Sequence, residues 1–132
     1  MNKSQQEFLF KLSMYEQQIG MIQQQLQAVE ESLVEITGLN FGLDDVKNSV
    51  GKETLAPIGR GIFAKTKLMS DELIVDVGGK NFVTKSVRET KDIIEEQIGK
   101  LSQIKTNLNE KAEEIREEMN FLLNEMQKSE ES

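Results

Sequence analysis

The chain has 132 residues, enough for one domain, but 30% are charged and only 5% aromatic, with no Trp and a single Tyr. That composition fits long helices or a coiled coil better than a compact globule. A net charge of −7 argues against a non-specific nucleic-acid binder, and the absence of Cys and His removes disulfides, thiolate metal sites and the commonest general base. The acidity is uneven. Residues 1–36 carry 2 cations and 5 anions, 37–86 carry 7 and 6, and 87–132 carry 7 and 12. The N-terminus lacks a continuous apolar stretch of the signal-peptide kind, and no run approaches membrane-spanning length, so the expectation is a cytoplasmic protein with no membrane or nucleic-acid partner.

From Phe8, apolar residues recur at Leu12, Tyr15, Ile19, Ile22, Leu26, Val29, Leu33 and Ile36. Steps of four and three alternate without a break, which predicts a helix whose narrow stripe faces another helix. The frame continues through Asn40, Leu43, Lys47 and Val50, where it loses apolar character, and Gly38 and Gly42 weaken the helix by about 1 kcal/mol each relative to Ala. The helix is expected to run toward Asn48, with Gly51 as its stop, so residues 1–50 form the first segment.

Residues 51–86 read differently. Ile62, Ala64, Thr66 and Leu68 alternate with Phe63, Lys65 and Lys67, and Leu73–Val77 is rich in β-branched residues, both strand signals. Gly59-Arg60-Gly61 and Gly78-Gly79-Lys80 punctuate the stretch as hairpin turns, which predicts two consecutive β-hairpins. An isolated hairpin is marginal in water, so these strands are expected to pair with other subunits. Pro57 suits an edge strand or a strand start.

Ser86, followed three residues later by Glu89, predicts an N-cap with a capping box. Residues 87–132 then carry a second seam through Val87, Lys91, Ile94, Ile98, Leu101, Lys105, Leu108, Ala112, Ile115, Met119, Leu122 and Met126. The two Lys would cost stability while fixing register, and the polar tail after Met126 is expected to fray. Folded back as an antiparallel pair, the helices would set Phe8 near Met126 and Ile36 near Ile98, a paired arm of about 42 Å.

Off-seam apolar residues are sparse along the arm but cluster at its ends. Leu9, Phe10 and Met14 surround Phe8 and Leu12, and Phe121 and Leu123 stand beside Met119, Leu122 and Met126. The antiparallel register joins the two clusters at one tip, a candidate contact surface for apolar segments. The alternative is that they wrap over the end of the coil or are ordinary surface hydrophobes. Catalytic chemistry is hard to find. Neither glycine turn has P-loop spacing, and Glu95-Glu96, Glu113-Glu114 and Glu117-Glu118 read as solvated helix faces. Asp76 has no His or Cys to work with, so no enzyme is expected.

The run LAPIGRGIFAKTKL followed by ELIVDVGGKNFVTKSVRET (Leu55–Leu68 and Glu72–Thr90) resembles the central region of α-class prefoldin subunits. The Asp76-Val77-Gly78 step and the spacing of both hairpins are its most specific parts, whereas Ala56 in place of Val and the Gly-Gly-Lys-Asn turn depart from the family pattern. The resemblance implies an α+β fold: a long antiparallel two-helix coiled coil joined by two β-hairpins that assemble into an intersubunit β-barrel. It further implies an α2β4 hexamer with β-class prefoldin subunits, and an ATP-independent holdase chaperone without cofactors. Such a chaperone grips non-native polypeptides at its coiled-coil tips and passes them to a group II chaperonin. Carried over by position, substrate contacts fall to Phe8, Leu9, Phe10, Leu12, Met14, Met119, Phe121, Leu122, Leu123 and Met126. Oligomerisation falls to Ile58, Ile62, Phe63, Ile74, Val75, Val77, Phe82 and Val83. The competing class is a structural or filament-forming subunit whose tips bind nothing.

Overall fold

The structure is a computed structural model that describes residues 2–131; the side chains of residues 130 and 131 are not described. Its elements are α1 (Lys3–Lys47), β1 (Glu53–Gly59), β2 (Ile62–Lys67), β3 (Leu73–Asp76), β4 (Phe82–Lys85) and α2 (Val87–Glu131). Contacts divide the chain into two units, one made of residues 1–33 with 100–132 and the other of residues 34–99.

The first unit is the outer part of both helices. Ile22, Ala112 and Ile115 form its buried centre, with Tyr15, Ile19, Leu26, Leu108 and Met119 packed against it. Every one of these is a seam residue, so the alternating three-and-four spacing does what it predicts. Lys105, a cation within the α2 seam, is half-exposed, and its Nζ lies 3.6 Å from Glu30 Oε1. α1 opens with an Asn2-x-x-Gln5 capping box that the sequence reading overlooked: Gln5 N–H donates to Asn2 Oδ1 (2.8 Å) and Asn2 N–H to Gln5 Oε1 (3.1 Å). α2 stays helical past Met126 as far as Glu131, where fraying was expected; Ser132 lies outside the described residues.

In the second unit Leu43, Val87 and Ile94 are buried together, with Ile36, Val46, Ile98 and the β3 residue Leu73 packed against them. The α1 seam changes frame here. Val46 is half-buried, whereas Lys47 and Val50, the next positions of the strict frame, are exposed. A helix of 3.6 residues per turn drifts from a seven-residue repeat, and a second step of three after Leu43 brings Val46 to the buried side. α1 ends at Lys47, and Gly51 (φ 82°) turns the chain toward β1. α2 starts at the foreseen cap: Glu89 N–H donates to Ser86 Oγ at 3.0 Å, and Ser86 N–H reaches Glu89 Oε1 at 3.4 Å.

Among the described residues the strands make two separate two-stranded antiparallel sheets, β1–β2 and β3–β4. In the first, Ala56 faces Ala64 and Thr54 faces Thr66, whose hydroxyls are 2.7 Å apart. The register slips between Pro57 and Gly59, leaving Ile58 as a bulge beside a turn whose Arg60 and Gly61 both have positive φ. Two left-handed residues match the twist of the flanking strands. The second hairpin repeats the device with Gly79 and Lys80, closed by Asn81 N–H donating to Gly78 O at 3.0 Å. Its register pairs Leu73 with Lys85, Val75 with Val83 and Asp76 with Phe82.

Candidate functional site: the paired helix ends

The start of α1 and the end of α2 meet within the first unit, and there seam and surface part company. Phe8, Leu12, Met119, Leu122 and Met126 are half-buried, as seam residues should be. Leu9, Phe10, Met14, Phe121 and Leu123 are exposed, with Phe10 at 66% and Phe121 at 68%. The ten candidate contact residues thus separate into five that hold the helices together and five that face solvent. Two exposed phenylalanines with three aliphatic neighbours form apolar surface that this chain's own packing does not cover.

Carboxylates border that surface. A cleft of about 490 Å³ runs beside Tyr15 and Lys11 on α1, and its α2 wall carries Glu114, Glu117, Glu118, Phe121 and Leu122. The spacing i, i+3, i+4, i+7 sets Glu114, Glu117, Glu118 and Phe121 along one face of α2. Burial of the ring, followed by the charge of Glu118 and a hydrogen-bonding interaction with it, holds the Tyr15 phenol above its usual pKa. A shallower depression adjoins, lined by Lys3, Gln6, Glu7, Phe10 and Lys11.

The hairpins form a second apolar surface in the other unit. Ile58, Ile62, Phe63, Ile74, Val77, Phe82 and Val83 are exposed, and Val75 is half-buried. Asp76, the one strand carboxylate weighed for chemistry, accepts a hydrogen bond from Gly78 N–H at 2.9 Å and so shapes its own turn. Among the described residues no group of His, Cys, Asp and Glu could hold a metal ion, and no helix is long and apolar enough to cross a membrane.

Two long helices joined through two small hairpins, with apolar residues exposed at the helix ends and on the strands, define a coiled-coil assembly subunit. The family model for prefoldin subunits matches residues 15–131, and the chain belongs to the prefoldin family of chaperone subunits, which assemble with one another. It is 33% identical over 90 residues to a prefoldin subunit alpha of Methanosphaera stadtmanae, a match spanning 68% of this chain and 65% of that protein. It is 35% identical over 99 residues to the prefoldin subunit alpha of Methanobrevibacter smithii, spanning 72% and 68%. Prefoldin subunit alpha 1 of Methanocaldococcus jannaschii is 28% identical over 116 residues, spanning 88% and 80%. The fold matches a cryo-EM structure of filamentous PFD from the last organism with a TM-score of 0.77 at 21% identity, covering 87% of this chain and 97% of that one.

Proposed function

We propose that this chain is the α-class subunit of an ATP-independent holdase, an α2β4 hexamer completed by β-class prefoldin subunits. The observation that carries the reading is the exposure of Leu9, Phe10, Met14, Phe121 and Leu123 where the two helix ends meet. These residues contact exposed apolar segments of non-native polypeptides, with Phe8, Leu12, Met119, Leu122 and Met126 contributing the part of their surface left open. Several arms engaging one chain raise the effective concentration, so each tip need bind only weakly. Bound clients pass to a group II chaperonin in the cytoplasm. The subunit performs no catalysis, and the strongest support for this is a sequence with no His, no Cys and no phosphate loop.

Residues 51–86 serve as the oligomerisation core. The hairpin faces carrying Ile58, Ile62, Phe63, Ile74, Val75, Val77, Phe82 and Val83 pair across subunits into a β-barrel, while residues 1–50 and 87–132 supply the arm. A filament-forming structural role is the second reading, favoured by the filamentous assembly from which the similar solved structure comes. The deciding experiment is light scattering from a denatured test protein diluted into the assembled complex without ATP. Suppression at near-stoichiometric complex supports the holdase, and aggregation in the presence of a confirmed assembly supports the structural role.

A further inference from the structure

Non-native polypeptides differ in the charges interspersed among their apolar residues, and the cleft beside Tyr15 is not neutral. Between residues 110 and 128, α2 carries six glutamates against Lys111, Arg116 and Lys128. Arg116 is taken by Glu113, its NH1 lying 3.6 Å from Oε2. Glu118 lines the cleft beside Tyr15 and raises its phenol pKa by its charge. Glu114 and Glu117 line the cleft with no ion pair or hydrogen bond to another described residue, and no ion pair joins either of them to Lys11 across the opening. Phe121 continues the same face of α2 and leaves two-thirds of its surface open.

We propose that this cleft selects cationic apolar segments: a Lys or Arg side chain of the bound polypeptide lies between Glu114 and Glu117, its stem along Phe121, while neighbouring apolar residues rest on Phe10. The inference rests on the holdase reading and names its preferred clients. Charge complementarity is what singles out this occupant. A cation gains two carboxylates and an aromatic face, whereas an acidic segment of equal hydrophobicity meets like charge. Long cationic side chains also lay apolar stems against such surfaces while their charged ends stay solvated. Exposed ion pairs are individually weak, and two of them with an aromatic contact yield a preference of about fivefold over an acidic segment.

The test uses the complex reconstituted from this chain and β-class prefoldin subunits. Three peptides share the same Leu and Phe residues, differ only in carrying Lys, Gln or Glu between them, and bear one benzophenone; photocrosslinking to this chain is read against peptide concentration. The Lys peptide half-saturates at about one-fifth the concentration of the Glu peptide, with the Gln peptide between them. Glu114→Gln with Glu117→Gln brings the Lys and Glu curves together and leaves the Gln curve in place. Equal Lys and Glu curves in the unaltered chain, or a preference that survives the double substitution, would overturn the inference. If the Gln peptide fails to crosslink, or Phe10→Ser with Phe121→Ser leaves its curve unmoved, the holdase reading itself falls and takes the inference with it.

Discussion

Lys91, a cation one turn into the α2 seam, places its Nζ 2.7 Å from Asp44 Oδ1 on α1. The Lys91 side chain keeps 24% of its surface exposed and Asp44 keeps 57%, so the pair sits at the edge of the buried cluster. A partly solvated pair of this kind contributes less than about 1 kcal/mol. A double-mutant cycle with Lys91→Ala and Asp44→Ala is expected to give a coupling below that value. Lys91→Leu, which restores the apolar seam, should raise the melting temperature.

Asn40 occupies the α1 seam one turn before Leu43, and its Oδ1 is buried without a hydrogen-bond partner. A buried unsatisfied acceptor costs about 1–3 kcal/mol. Asn40→Leu should therefore stabilise the chain by an amount in that range in urea denaturation. A buried polar residue in a seam also disfavours alternative registers. The same variant should show additional disulfide-trapped species when single cysteines are placed at mismatched heights on the two helices.

Ala112 is 1% exposed and Ile115 is 5% exposed, and with Ile22 at 4% they form the buried centre of the first unit. Ile115→Ala should cost about 2–4 kcal/mol through lost burial and the cavity left behind. Ala112→Leu should cost about 1–3 kcal/mol by forcing the helices apart. Circular dichroism melts of both variants check the two values, and a neutral Ala112→Leu would mean the interface is looser than its burial indicates.

The exposed and half-buried members of the helix-end cluster should behave differently. Leu9→Ser, Phe10→Ser, Phe121→Ser and Leu123→Ser together remove solvent-facing apolar surface and should leave the helical melt within about 1 kcal/mol of the original. Suppression of client aggregation should be lost. Phe8→Ser or Leu122→Ser removes seam packing instead, so those substitutions lower the melting temperature as well. A quadruple variant that still suppresses aggregation would move client contact away from this surface.

Ser86 and Glu89 give a pH-dependent helix start. Hydrogen bonds from the Ser86 hydroxyl and backbone N–H hold the Glu89 carboxyl below its usual pKa, aided by the charge of Lys85. A depressed carboxyl contributes stability that is present above its unfolded pKa and is lost as pH falls through the folded value. The advantage of the native chain over Glu89→Gln should be full near neutrality and shrink in the acid range below about pH 4. Ser86→Ala should cost about 1 kcal/mol at neutral pH.

Most of the fold is legible in the sequence because a coiled coil writes its interface as a spacing. All twelve seam positions of α2, the two Lys included, are at least half-buried, and the α1 frame holds from Phe8 to Leu43. The frame fails at Lys47 because strict repetition ignores the drift of a real helix, and Val46 was the apolar residue that pointed to the correction. Thr90 was also missed. It is buried off the seam at 8% exposure, made tolerable by its hydroxyl donating to Ser86 O at 2.8 Å. At the helix ends the seam spacing already divides the apolar cluster: the off-seam Leu9, Phe10, Met14, Phe121 and Leu123 are the five that are exposed, and the seam residues beside them are half-buried. What the spacing does not give is the cleft beside Tyr15, which depends on how side chains of both helices fill the flank of the seam.

Each hairpin has only two strands, so every strand among the described residues has a neighbour on one side only. Unpaired strand edges flanked by exposed Ile74, Phe82 and Phe63 are templates for indiscriminate β-pairing. A cell making this chain faster than its companions would accumulate open edges and lose the surplus to precipitation or proteolysis. Under the proposed pairing of the hairpins across subunits, balanced synthesis becomes a requirement of the molecule, and its yield when expressed should follow the supply of its companions more closely than its own gene dosage.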